Sequence, residues 1–278
     1  MHRSIWRFLL PLLFLLSTSA LAEAPQRVVV LGGALTEIAY ALGAGDRLVG
    51  ADQSSIYPPA AHTLPKVGYY RQFSVEGVVA LRPDLILASE QAGPPEAINQ
   101  LRRLGKRVVV LPADASLAAL EQRIYGVAGA LQLRNDGRAL VARLQRDVAA
   151  LQKQPASKAR TLLLIQRGRQ AEGAGLDTAA HGTLQLAGLS NVLAGQKGYK
   201  PLSLESIAAL RPELIVTSTL SLQAAGGIDA LLAQPGIAQT PAAKQRRVIV
   251  LDDLLLLGFG PRLPEAIAQL RKPLGKAS

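Results

Sequence analysis

The chain contains no cysteine. This rules out disulfides, thiolate nucleophiles and a lipid attached through cysteine. Its one methionine is Met1, so no thioether is available beyond the first position, and the histidines are only three: His2, His62 and His181. Without soft ligands, and with two well-separated histidines past the N-terminus, a closed tetrahedral zinc site has little to draw on. Aromatic residues make up 4% of the chain. They are not interleaved with an arginine or lysine stripe, which sets nucleic-acid binding aside. The chain also lacks a Gly-x-Ser-x-Gly elbow, a phosphate loop and a His-Glu-x-x-His helix. Gly32-Gly33 follows an apolar run without the remaining glycine of a dinucleotide fingerprint. A binding protein is therefore the default, not an enzyme. The apolar run at residues 8–16 falls short of the roughly 20 residues a membrane span requires, and no later run is long enough.

What is present begins with a leader. Arg3 and Arg7 precede that apolar run, and Ala20 and Ala22 close it, which is the charge, core and small-residue order of a secretory signal. Cleavage is expected after Ala22, leaving residues 1–22 as the signal peptide and sending the mature chain to a bacterial periplasm. The leader carries two of the 31 basic residues and none of the 20 acidic ones, so the mature charge is 29 minus 20, or +9. That balance favours anionic partners, a small-molecule carboxylate among them.

The 278 residues, 49% of them hydrophobic, suffice for one large or two modest domains. Residues 27–31 read as a buried strand and residues 35–42 as a helix, and strand and helix then alternate as in a parallel sheet covered by helices. Between residues 117 and 151 the periodicity is wholly helical, broken near 133–137. Past Pro155 the first half returns. Ser74-x-Glu76 and Leu81-Arg82-Pro83-Asp84 are matched by Ser203-x-Glu205 and Leu210-Arg211-Pro212-Glu213, at a constant offset of 129. Duplication predicts an α/β protein of two Rossmann-like lobes with mostly parallel sheets, joined by one long helix, with a ligand cleft between them. The expected division is 23–133, a connecting helix at 134–154, and 155–278.

Among the residues that could carry chemistry, Tyr69, Tyr70 and Arg71 stand out. A tyrosine phenolate is an axial ligand for ferric haem, and an adjacent guanidinium favours the phenolate by charge and hydrogen bonding. Paired tyrosines also serve as half-buried packing residues, and residue type alone leaves both roles open. His62 and His181 read most simply as surface or capping residues.

Val67-Gly68-Tyr69-Tyr70-Arg71, with Ser74-x-Glu76-Gly77 and Leu81-Arg82-Pro83-Asp84, resembles the periplasmic haem-binding proteins of bacterial haem ABC importers, relatives of siderophore and cobalamin binders. The likeness continues through Gly198-Tyr199-Lys200-Pro201 and Gly258-Phe259-Gly260-Pro261-Arg262. It implies that haem is the transported ligand, with Tyr69 as its axial oxygen and Arg71 hydrogen-bonded to that oxygen. Tyr70 stands where the family pattern has no tyrosine, which makes it a bystander, a stacking wall or a substitute ligand. The second copy would bring Tyr199 over the porphyrin and Lys200 to a propionate, and Arg167 and Arg169 would face the propionates from a strand end. Ser74 and Ser203 read as N-caps, with Glu76 and Glu205 in favourable first-turn positions. The resemblance adds that these two glutamates dock a monomeric carrier onto an inner-membrane ABC permease and its ATPase. A ferric-siderophore or cobalamin binder is the alternative, followed by an exported metal-dependent enzyme or haem-modifying protein using His62 or His181.

Overall fold

The computed structural model describes residues 23–167 and 170–272, so the expected signal at 1–22 lies outside the described residues. The first lobe comprises β1 (Val28–Leu31), α1 (Gly33–Ala41), β2 (Leu48–Ala51), β3 (Gly68–Tyr69), β4 (Gln72–Phe73), α2 (Val75–Ala80), β5 (Leu85–Ser89), α3 (Pro95–Arg103), β6 (Val108–Leu111) and α4 (Leu117–Ala130). Then follows α5 (Arg134–Gln152). The second lobe has β7 (Arg160–Arg167), β8 (Gln170–Ala174), α6 (Ala179–Leu186), β9 (Ser190–Asn191), β10 (Tyr199–Pro201), α7 (Leu204–Leu210), β11 (Leu214–Ser218) and α8 (Thr219–Ala224). It ends with α9 (Ile228–Ala233), α10 (Pro241–Lys244), β12 (Val248–Leu251), α11 (Asp253–Leu257) and α12 (Leu263–Leu270).

The first sheet, in the order β2-β1-β5-β6, is parallel throughout. The second is parallel across β9-β7-β11-β12, but β7 also turns back into antiparallel β8, which pairs antiparallel with β10. Tyr199-Lys200 thus lies within a strand pairing. The parallel strands β1, β5, β7 and β11 are covered on both faces, which is why they are largely apolar runs without alternation. Val29 and Leu31 face a core that α2 and α3 cover, while Val28 and Val30 face the opposite way. In the second sheet Leu162 and Leu164 likewise point to a local core, and Leu163 and Ile165 to the other face.

That other face is common property. Val28, Val30, Leu120, Ile124, Leu140, Leu144, Leu163, Leu184, Leu256 and Ile267 belong to one continuous apolar cluster that crosses from lobe to lobe. The 19-residue α5, about 28 Å long at 1.5 Å per residue, packs between α4 of the first lobe and α12 of the second. Polar contacts seal the same seam. Buried Arg123 of α4 donates to the Phe259 carbonyl at 2.7 Å and to the Pro112 and Asp114 carbonyls at 3.1 and 3.0 Å. Gly182 lets α6 approach the 112–116 loop so closely that a Cβ there would run into the Ala115 carbonyl.

The duplicated Leu-Arg-Pro-acid phrase proves to be a clamp. Arg82 and Arg211 both take left-handed backbone, with φ of 48° and 46°. Asp84 then accepts the Arg27 amide at 3.1 Å while the Arg27 guanidinium donates to the Leu81 carbonyl at 2.7 Å. The second lobe repeats this with the Arg160 amide on Glu213 at 3.1 Å and the Arg160 guanidinium on the Leu210 carbonyl at 2.8 Å. Each clamp fastens the end of α2 or α7 to the start of the strand that opens its lobe.

Candidate functional site

The carboxyl ends of the parallel strands in the two sheets converge. Gly33 follows β1 and Leu254 follows β12, and these residues sit so close that a Cβ on Gly33 would overlap the Leu254 side chain. In open α/β sheets ligands bind along such edges.

The tyrosine motif is a hairpin mounted at this edge. Residue 66 bridges to Ala51 of β2, and β3 then pairs antiparallel with β4, Tyr69 opposite Gln72, leaving Tyr70 and Arg71 at the tip. Two-residue strands without Asn-Gly or Asp-Gly give little signal of a hairpin in the sequence. Tyr69 is 41% exposed and Tyr70 is half-buried. Their rings meet edge to face with centroids 4.7 Å apart. Arg71 Nε donates to the Tyr70 hydroxyl at 3.0 Å, and another guanidinium nitrogen bonds Gln91 Oε1 in the loop after β5.

Burial pushes the Tyr70 hydroxyl up to about 12, the neighbouring Tyr69 adds to this, and Arg71 offsets only part of it. Arginine lowers the phenol at Tyr70 as expected, but desolvation outweighs the nearby cation and the net shift is upward. Tyr70 stays protonated at neutral pH. Tyr69 is left as the phenol that a ligand can reach from solvent.

The second-lobe candidates are more dispersed. Tyr199 pairs with Ala174 through β10 and its ring packs, half-buried, on the shared core. Lys200 is exposed on the same strand. Arg167 closes β7, and Arg169 lies outside the described residues. Leu220, 60% exposed at the start of α8 where β11 ends, is an apolar surface on this edge that the sequence reading passed over.

Ser74 and Ser203 cap α2 and α7, accepting the Gly77 and Ser206 amides at 2.9 and 3.2 Å. Glu76 and Glu205 sit exposed in the first turns. Backbone amide hydrogen bonding, helped by Ser203, lowers the Glu205 carboxyl. His62 is exposed in a short 3-10 turn, Pro59–Thr63. His181 lies half-buried in the first turn of α6, its Nδ1 3.1 Å from the Asn191 amide, and burial lowers its pKa. Among the described residues no three His, Cys, Asp or Glu side chains cluster as a metal site.

The periplasmic binding protein family model matches residues 28–255. Among solved structures, the apo periplasmic heme-binding protein RhuT from Roseiflexus sp. RS-1 is 40% identical, with a TM-score of 0.84 covering 88% of this chain and 96% of that one. The heme-binding protein BhuT in complex with two hemes is 44% identical, with a TM-score of 0.82 covering 90% and 99%. A vitamin B12-binding protein of Pectobacterium atrosepticum is 30% identical over 98% of this chain and 96% of its own length.

Proposed function

The chain belongs to the periplasmic binding protein family, and on that premise we propose that it is a non-catalytic carrier that binds ferric haem and delivers it to an inner-membrane ABC permease. The observation that carries this reading is the exposed Tyr69 phenol on a hairpin held at the strand ends where the two lobes meet. Solved haem binders at 40–44% identity share the fold over nearly the whole chain.

Tyr69 is the axial ligand. Coordination of Fe(III) by the phenolate oxygen displaces the phenolic proton, and the Arg71 cation beside the pair favours the resulting anion. Tyr70 remains protonated and meets Tyr69 edge to face as a wall. Arg167, Arg169, Tyr199 and Lys200 complete the ligand-binding set from the second lobe, the cationic members as partners of the propionates. The division into lobes at 23–133 and 155–278 about a connecting helix at 134–154, the export through residues 1–22 and the monomeric state belong to the same reading.

Added hemin is expected to give a saturable ferric high-spin tyrosinate spectrum that His62→Ala and His181→Ala leave intact. The vitamin B12-binding relative makes cobalamin the second reading. Cobalamin needs no iron-bound tyrosine. Saturable binding of cyanocobalamin with no response to hemin would replace the haem assignment, and loss of the spectrum in either histidine variant would move the ligand away from the hairpin.

Docking is assigned to Glu76 and Glu205, one exposed carboxylate at the same helical position in each lobe. Charge reversal of both to lysine is expected to lower the ATPase stimulation by haem-loaded carrier by about tenfold or more, since like charge across an interface is strongly disfavoured. Hemin titration should be unchanged. Undiminished stimulation would reassign the two glutamates to helix capping alone.

A further inference from the structure

We infer that Asp52 is the positioning residue of the tyrosine hairpin: a buried carboxylate at the end of β2 that fixes the backbone of Tyr70 and so aims the Tyr69 phenol. The inference deepens the haem-carrier reading and rests on it for its ligand.

Asp52 is 0% exposed, and a carboxylate in that position is costly unless its lone pairs are filled. Here they are filled from three directions. Oδ1 accepts the Gly32 amide, where β1 gives way to α1, and the Ser55 hydroxyl, each at 2.9 Å. Oδ2 accepts the Ser54 amide at 2.8 Å, the Ser54 hydroxyl at 2.6 Å and the Tyr70 amide at 3.2 Å. The Ser55 hydroxyl also meets Thr36 of α1 at 2.7 Å, and the Ser54 hydroxyl accepts the Gly33 amide at 3.0 Å. Lys66, at the foot of the hairpin, places its ammonium on the Ser55 and Ala61 carbonyls at 2.9 and 2.8 Å and feels the Asp52 charge.

The bond to Tyr70 differs in kind from the others. The remaining four donors lie in the strand ends and the turn that directly follows Asp52, so they hold the scaffold to itself. Tyr70 belongs to the projecting hairpin, and its amide reaches back across 18 positions of chain. Its carbonyl is held separately by the Gly93 amide at 2.9 Å. The peptide groups on both sides of Tyr70 are thereby fastened, one to β2 and one to the loop beyond β5, and Tyr69 immediately precedes the fastened amide. A saturated buried acceptor leaves little room for that amide to move, since leaving the acceptor costs a charge-assisted bond.

Asp52→Asn keeps the volume but replaces one acceptor oxygen by a donor. Three readouts decide the inference. In ligand-free protein the Tyr70 amide should exchange with solvent at least about tenfold faster, the factor one charge-assisted hydrogen bond supplies, while amides of β5 and β11 keep their protection. Hemin affinity should fall by about tenfold, with a shifted tyrosinate band. In a Tyr69→Phe background the same substitution should change the residual hemin affinity less than about twofold, because a residue acting through the phenol has nothing left to aim.

Should Asp52→Asn fold poorly, replacing the Tyr70 residue by its hydroxy-acid analogue deletes only the amide N–H, and the same spectral shift is expected. Equal losses of hemin affinity in the wild-type and Tyr69→Phe backgrounds, or unchanged Tyr70 exchange, would overturn the inference by reducing Asp52 to a scaffold residue. If the unaltered protein takes up no hemin, the carrier reading falls, and the exchange measurement still decides whether Asp52 holds the hairpin.

Discussion

Tyr69→Phe is expected to abolish the ferric tyrosinate spectrum and to weaken hemin binding by at least about a hundredfold, or roughly 2.7 kcal/mol. Residues that merely support a metal ligand cost about 10–100-fold when lost, and removing the ligand oxygen itself should exceed them. Tyr70→Phe is the informative partner. Its hydroxyl is pushed up to about 12 and engaged by Arg71 at 3.0 Å, so its removal should shift the band and cost about tenfold without eliminating it. An absorbance titration of both variants separates the two phenols. If Tyr70→Phe is the variant that loses the band, the iron ligand is Tyr70 and the exposed ring of Tyr69 is the wall.

Arg262→Ala is expected to lower the melting temperature by about 10 °C near pH 8, corresponding to about 3–5 kcal/mol for a buried ion pair left with one partner. Arg262 precedes α12 in the second lobe, and its Nε donates to Glu37 of α1 in the first at 2.9 Å. It also reaches Asp252 at 3.2 Å and lies 3.5 Å over the Tyr57 ring. Glu37 is 4% exposed, and burial pushes its carboxyl from 4.5 to about 7 although Arg262 acts in the opposite direction.

The sign of the pH effect follows from that displacement. Between about 4.5 and about 7 the folded chain retains a proton that the unfolded chain has released, so stability falls as pH rises through this window and levels off above it. The full excursion is on the order of 3 kcal/mol. Glu37→Gln should flatten the slope, and the cost of Arg262→Ala should shrink at pH 5, where the carboxyl carries its proton. Thermal melts at pH 5 and 8 on the three proteins test this. A cost for Arg262→Ala that is the same at both pH values would show that Glu37 does not titrate in the seam.

The elements most legible in the sequence were those whose cause is local. Residues 28–31, 85–88 and 162–165 are apolar runs that form central strands, and 248–251 is an apolar run at the edge of the second sheet. Ser74 and Ser203 announce their helices, as N-caps do, within four residues. The strand β8, Gln170–Ala174, carries small and polar residues with no clear period, and its place depends on pairing with β7. The Leu81-Arg82-Pro83-Asp84 phrase was visible as a repeat, yet its job required Arg27, 57 positions earlier, to be known as its partner. Asp52 and Gln91 were missed for the same reason. Asp52 stands in a polar Asp-Gln-Ser-Ser run after a strand, which signals a turn, and only the fold brings the Tyr70 amide to it. Tyr199 lies between Gly198 and Pro201, residues that give no local strand signal, and its place depends on antiparallel pairing with β8.

The apolar cluster that runs unbroken from β1 to α12 has a mechanical consequence. Spreading the lobes would drag buried leucines and isoleucines from both into water, at about 25 cal/mol for each Å² uncovered, so the body resists being pulled apart. The hairpin is joined to that body by the buried side chains of Val67 and Phe73, by the Gly68 carbonyl on the Gln53 amide at 2.8 Å, and by the Asp52 and Gly93 bonds to Tyr70. A load on either lobe is therefore carried by the whole body, and the hairpin, fastened on both sides of Tyr70, moves with it.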